Sequence, residues 1–462
     1  MRSLFLLIIL LTYQAGAQKS VDLKAQANRY LSGIEQSLYV ISDSIWSYSE
    51  PSFEEYRTAE LLKNALQNQE FTIEDSIAGY PTMFIGSFGN KGPIIAILAE
   101  ADADCRISPV AGIELPNSGF GQGAFHHLLG TGSLGAALAL KHLIKKGELE
   151  AQIRYYFSTG EGSLGGRVPM VRNGYFDDVD LAYFWHPAPV TSANLSKWDA
   201  IIDLEVTYTD SLAMRNAASI ITKTQSIKDN NGNDLLLRTS IHSAPFDVAL
   251  PNDSVKVMIR IEHSNQEKAV EEYTEIVAEL EKQKQKSEVS WSVFRMVHEF
   301  IPTKVGNELV YRNMSKLGKR SVSNADTQLA NTIYETAGKE PGRFLTDPLP
   351  FKAERPDELY GYGSDIGDVS WKAPLISFVV CSLPTGISMS NWEGAAFGKS
   401  SFSKDALIDA AQLMVRTSID YLLDKKVRKA IEEEFEFRTR NRSYSNHIQI
   451  LPNEQSKKKR SK

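Results

Sequence analysis

Acidic and imidazole side chains gather at the ends of three apolar runs in this 462-residue chain. After Pro93–Ala99 come Glu100, Asp102 and Asp104. After Gln152–Phe157 comes Ser158-Thr159-Gly160-Glu161-Gly162, and after Leu181–Trp185 come His186 and Pro187. A fourth group, Gly121-Gln122-Gly123-Ala124-Phe125-His126-His127-Leu128, stands where a helical pattern begins. In open α/β sheets, residues that contact ligands collect beyond the carboxyl ends of strands. Carboxylates and imidazoles converging there suit a hydrolytic metal site, since zinc takes oxygen and nitrogen donors and polarises carbonyls. Each group also has a purely structural reading. Asp102 and Asp104 can cap a loop or face solvent, and His186 beside Pro187 can be a buried structural imidazole. His126 and His127 are adjacent and point to different faces, so at most one faces a site.

The elements that position these residues follow from periodicity. Helical spacing covers Val21–Tyr48, Phe53–Gln67, Leu128–Lys146 and Lys404–Leu423, with a short helix over Val168–Asn173. Strands are predicted at Thr82–Phe88 and Pro93–Ala99, joined by Gly89-Asn90-Lys91-Gly92, and at Gln152–Phe157, Leu181–Trp185 and Leu375–Val380. Continuous apolar strands alternating with helices predict an α/β layered domain, its sheet covered on both faces. The texture changes after Asp199. Ile201–Tyr208 alternates as a half-exposed strand and Ile220–Leu237 is polar. Ser254–Ile261 and Val289–Met296 are further strands, with a charged helix over Gln266–Glu281. The chain therefore divides into a catalytic-type domain over 18–199 and 303–440, and an inserted α+β domain over 200–302. Gly130-Thr131-Gly132-Ser133-Leu134-Gly135 fits a dinucleotide-binding pattern, but no strand runs into it, so close helix packing explains these glycines better.

Composition narrows the class. A net charge of −6 argues against general affinity for nucleic acid or anionic membrane. Arg2, the apolar Leu4–Leu11 and Ala15-Gly16-Ala17 before Gln18 have the order of a secretory leader, residues 1–17. Nothing later approaches a membrane span, so the expectation is a secreted or periplasmic protein. Cys105 and Cys381 are the two cysteines; in apolar strand contexts they are expected to be separate core residues. Lys457-Lys458-Lys459-Arg460 ends a tail, 441–462, expected to be disordered.

His126-His127-Leu128-Leu129-Gly130-Thr131, the run Met170–Asp180, Trp185-His186-Pro187, and Asp365 with Gly367-Asp368-Val369-Ser370-Trp371-Lys372 carry a resemblance. Over roughly residues 30–425 the chain resembles the dinuclear-zinc amidohydrolases and exopeptidases. Its nearest likeness is to their p-aminobenzoyl-glutamate and indole-acetyl-amino-acid hydrolase branch. The resemblance implies a zinc-exopeptidase-like catalytic domain and an inserted lid that commonly makes a homodimer. Carried over by position, His126 and His186 are two imidazole ligands and Glu161 is the general base. The bridging thiolate falls on Ala124, an acidic ligand on Gly162 and the last imidazole on Ser390, which precedes Trp392. The lid imidazole falls near Ala213–Asn216, where no His stands, and a lid Asn falls on Asp247.

Frame residues such as Asp365, Asp368, Trp371 and Trp392 remain while ligands are replaced. Asp102, Gln122, His127, Asp365 and Trp392 complete the assigned pocket. The resulting expectation is a non-catalytic paralogue that binds a small amide or peptide, or a partner. It would form a homodimer through the insertion or a heterodimer with an active relative, and hold no cofactor, at most one zinc. The alternative is a residual mononuclear-metal hydrolase of N-acyl amino acids or peptides.

Overall fold

A computed structural model describes residues 2–161, 165–194, 198–210, 212–225, 238–243, 254–352, 364–444 and 448. The chain divides into two units. The first comprises Met1–Leu195, Pro302–Arg355 and Lys372–Arg440. The second comprises Ser196–Ile301, Pro356–Trp371 and Asn441–Lys462.

The first unit is built on a six-stranded sheet. Its spatial order is Thr72–Asp75, Phe84–Phe88, Gln152–Phe157, Ile94–Ala99, Leu181–Ala188 and Leu375–Cys381. Strands from Gln152–Phe157 to Leu375–Cys381 pair in parallel, and the first three pair antiparallel. Every residue of Ile94–Ala99 is buried, as its unbroken apolar composition predicts for a central parallel strand. Thr72–Asp75 escapes a reading by sequence because it is a polar edge strand with no apolar face. Leu181–Ala188 runs three residues beyond the predicted Trp185, so His186 and Pro187 lie within the strand, paired with Val379 and Val380.

The helices His126–Lys145 and Ser401–Leu423 pack on this sheet, and the helix Arg2–Tyr48 packs on both of them. Leu23, Ala27, Leu31, Leu38, Ile45 and Trp46 form the buried stripe of the helix Arg2–Tyr48. That helix runs unbroken through the expected leader, and among the described residues no helix is long and apolar enough to cross a membrane. It meets the helices His126–Lys145 and Ser401–Leu423 around Gly135, where an added Cβ would lie 3.0 Å from Leu38 and 3.3 Å from Ala411. Gly132 presses on the Trp185 ring, 2.7 Å from such a Cβ, and Gly130 on the Glu100 carbonyl at the same distance. The glycine-rich run thus serves close packing. Cys105 and Cys381 are both buried and unpaired with each other.

The second unit is an antiparallel sheet in the order Arg238–Ser243, Val255–His263, Ala200–Tyr208 and Val289–Val297, with helices Ala213–Gln225 and Gln266–Lys284. Ala200–Tyr208 is central and mostly buried, unlike the half-exposed strand expected. The helix Ala213–Gln225 is hard to read from sequence because the polar stretch after it masks its apolar spacing. A few residues of the tail 441–462 are described. Arg442 pairs with Glu299, the Tyr444 hydroxyl donates to Asp368 Oδ1 at 2.7 Å, and Ile448 joins the apolar core of this unit. Lys457–Arg460, residues 226–237 of the polar stretch and Asp247 lie outside the described residues.

Candidate metal centre

The helix His126–Lys145 is clamped to three strands at its amino end. Ser133 donates to the Leu98 carbonyl at 2.7 Å, Tyr155 to the Gly130 carbonyl at 3.0 Å, and Trp185 Nε1 to the Leu129 carbonyl at 3.2 Å. Gln122 ties the same end down: its Nε2 donates to the Ala101 carbonyl at 2.8 Å and its Oε1 accepts from His127 N at 3.0 Å. Both polar atoms of the Gln122 side chain thus brace backbone. These bonds hold His126 over the ends of Ile94–Ala99 and Leu181–Ala188.

His126 Nδ1 lies 3.1 Å from both Asp102 Oδ1 and the Asp102 carbonyl. Both partners accept, so Nδ1 keeps its proton, and Nε2 becomes a donor atom for a metal ion once it gives up its own. His186 is fixed in the same sense, because its Nδ1 lies 2.7 Å from the Pro187 carbonyl. The two rings stand perpendicular with centroids 5.6 Å apart. Glu100 completes the group: its Oε1 is 3.7 Å from His126 Nε2. One ligand atom each from Glu100, His126 and His186 lie within 4.8 Å of one another. A tetrahedral ion with ligands at about 2.1 Å needs donors about 3.4 Å apart, so closing on an ion asks for shifts of about an ångström. Glu161 Oε2 faces the same nitrogen at 3.8 Å; its side chain is 16% exposed while those of His126 and Glu100 are at most 2% exposed.

Electrostatics follow from this crowding. Burial pushes His126 down, yet the hydrogen bond and charge of Asp102, with Glu100 and Glu161, hold it well above its ordinary value. His186 is pushed down to about 4, first by burial and then by the charge of His126. Burial takes His127 to about 3; its Nε2 donates to the Gly398 carbonyl at 3.0 Å, so it turns away from His126. Of the adjacent pair, His126 alone faces the cluster.

Arg167 and the segment Glu50–Glu55 carry weight that sequence reasoning missed, and Glu100, noted at its strand end, was not carried into the assigned pocket. Arg167 is completely buried, ion-paired to Glu100 Oε2, with its guanidinium 5.4 Å from the Phe184 ring centre. Ser52 donates to Asp102 Oδ2 at 2.7 Å, and Phe53 N to Thr159 Oγ1 at 3.0 Å. Glu55 accepts from Gly160 N at 2.9 Å and from the Thr159 hydroxyl, directly before Glu161. Burial first, then the charge of Asp102, pushes the Glu55 carboxyl up to about 8. Position immediately after an apolar strand was the available signal for Glu100; nothing local marks Arg167 or Glu55.

Two of the positions carried over as lost ligands, Ala124 and Ser390, lie on neighbouring backbones. An added Cβ on Gly123 would lie 2.8 Å from both Ser390 Cα and Cys105 Sγ, so Ala124 and Ser390 sit on backbones in close contact. Ser390 holds a left-handed φ of 59°. Asp104 accepts from Ala124 N at 3.1 Å and is thereby structural. Among the described residues only one group of three or more metal-capable side chains forms, and neither Ala124 nor Ser390 contributes to it. Gly162 lies outside the described residues. Trp392 is the part-buried first residue of the helix Trp392–Phe397, and buried Asp365 precedes Ile366–Ser370 in the second unit. The donor set fits one ion, in the two-imidazole, one-carboxylate combination of catalytic zinc sites with an open fourth position. The expectation of no cofactor therefore finds no support in this geometry.

No family model matches the chain. It is 25% identical over 450 residues to a subunit of the p-aminobenzoyl-glutamate hydrolase of Escherichia coli, covering 87% of this chain and 93% of that protein. A thermostable carboxypeptidase of Saccharolobus solfataricus is 27% identical over 172 residues, 36% of this chain and 43% of its own length. Among solved structures, a dinuclear metal-binding peptidase of the M20 family from Bacillus subtilis superposes with a TM-score of 0.56 at 14% identity, over 85% of this chain and 99% of that one. An aminobenzoyl-glutamate utilization protein from Klebsiella pneumoniae gives 0.56 at 12% identity, over 87% and 100%. The fold is thus the mixed α/β architecture of M20 peptidases, and over most of its length the chain is similar to the amidohydrolases and exopeptidases.

Proposed function

We propose that this protein hydrolyses the amide bond of an N-acyl amino acid or short peptide at a single divalent metal ion held by Glu100, His126 and His186. The observation that carries the reading is the convergence of those three donors, with both imidazole tautomers already set by Asp102 and the Pro187 carbonyl. Such an ion, when bound, supplies Lewis acidity to a carbonyl in its open position. Asp102 orients His126, the carboxylate–imidazole arrangement that sharpens ligand geometry. Glu161, the more exposed acid beside His126, accepts the proton of the attacking water and returns it to the leaving amine. Burial of the cluster keeps bulk water from competing for the donors. The substrate class follows the E. coli relative, a hydrolase of an N-acylated glutamate by its name.

A second reading is favoured by Ala124 and Ser390, which bring no donor atoms, and by the pairing of Glu100 with Arg167. In it the chain keeps the cleft for binding alone and works beside an active partner, in line with the E. coli relative, whose name makes it one subunit of a hydrolase. Export fits either reading. Ser20 and Lys24 already bond to Asp420, so a cut at Ala17–Gln18 would spare the part of the first helix that joins the core.

Metal content separates the two. Protein folded with zinc and then dialysed is expected to keep about one zinc per chain, and His126→Ala with His186→Ala is expected to lose it. Zinc-loaded wild type should then turn over members of an N-acyl amino acid panel, and Glu161→Gln should not. Absence of zinc refutes the hydrolase; one zinc without turnover leaves the binding role.

A further inference from the structure

Arg167 contributes a fixed guanidinium at the heart of a site otherwise made of carboxylates and imidazoles, and the general scheme above gives it no part. Its backbone starts from a close contact. An added Cβ on the preceding Gly166 would lie 1.9 Å from the Thr159 carbonyl, so the start of the helix Arg167–Arg172 rests on the loop that leads to Glu161. Its side chain is completely buried and lies across the Phe184 ring, on the strand that carries His186. One Glu100 oxygen, Oε2, is taken by this guanidinium, while the other, Oε1, faces His126 Nε2 at 3.7 Å.

We propose that Arg167 is a positioning residue for the metal centre: by holding Oε2 it presents Glu100 as a one-oxygen ligand. The inference rests on the single-ion reading. A carboxylate free at both oxygens swings about its last torsion and can chelate through both. One held by a guanidinium has that torsion set before the ion arrives, and it leaves a coordination position open for water or substrate. The geometry answers the objection that the ion pair blocks metal binding, because the oxygen used by Arg167 is not the one turned toward His126. Outer partners of this kind govern metal affinity by about 10–100-fold, the size of effect expected here.

The test is zinc affinity, measured by competition with a chromophoric chelator on the full-length protein. Arg167→Met is expected to weaken zinc binding roughly 10–100-fold with stoichiometry still near one, and Arg167→Lys, which keeps the charge without the planar fork, is expected to recover part of the loss. A role confined to folding would lower the melting temperature and leave the affinity of the folded protein unchanged. Should Arg167→Met not fold, Glu100→Gln is compared with Glu100→Gln/Arg167→Met, which buries no lone charge. With the ligand removed, the arginine change is expected to have no further effect on affinity. Arg167→Met with wild-type affinity, or an undiminished further loss in the double variant, overturns the inference alone. A wild type that binds no zinc overturns the single-ion reading and the inference together.

Discussion

Replacing Glu55 by glutamine isolates one buried carboxyl beneath the base-bearing loop. Glu55 is fully buried and holds Gly160 N and the Thr159 hydroxyl, and its neighbour Ser52 holds Asp102. Burial, reinforced by the Asp102 charge, raises its carboxyl from 4.5 to about 8. The folded protein therefore keeps a proton that the unfolded chain gives up near pH 4.5. Below that pH both states are protonated and there is no penalty. As pH climbs from 4.5 through about 8 the unfolded state is increasingly favoured, and above that the loss is complete. A shift of this size corresponds to on the order of 5 kcal/mol, an upper figure because water entering around the charged form lowers it. Glutamine keeps both hydrogen bonds, its oxygen accepting from Gly160 and its nitrogen donating to Thr159 Oγ1, and it does not titrate. Denaturant unfolding from about pH 5 to about pH 9 is the assay. The variant should match wild type within about 1 kcal/mol at the acid end and exceed it by a few kcal/mol at the alkaline end. Parallel curves for the two proteins would refute the assignment of a buried, proton-holding Glu55.

Two other substitutions probe the surroundings. Gly160 has φ +67°, and an added Cβ would lie 2.6 Å from the Phe53 ring; Gly160→Ala should cost roughly 2–4 kcal/mol by thermal unfolding, combining left-handed strain with overpacking. Phe53→Ala in the same chain should recover the overpacking part. Restoring the donors by Ala124→Cys, Gly162→Glu and Ser390→His should raise bound zinc from about one to about two per chain by elemental analysis. The left-handed Ser390 position is no obstacle, since histidine adopts that region more readily than most residues.

Much of the frame was legible in the residues alone. Ile94–Ala99 and Leu181–Trp185 are apolar throughout, so their burial in a parallel sheet follows from composition. The glycines of Gly130–Gly135 were readable as packing, and they meet Glu100, Trp185 and Leu38. His126 stood out because it stands where a helical pattern begins, and His186, Glu161 and Asp102 because acids and imidazoles at strand ends are a local pattern. Glu100 was visible there too, but its partnership with His186 and Arg167 joins residues far apart along the chain. Local periodicity carries no information on such separations; only the parallel pairing of strands and the seat of the helix His126–Lys145 bring them together. The same holds for Glu55, which becomes part of the site because a bridge between Pro51 and Ala103 folds its segment under two loops. Residue types at strand ends thus determined what chemistry this protein could attempt. The tertiary structure decided which of them share a site, because burial and pairing, not spacing along the chain, bring donor atoms within reach of one ion.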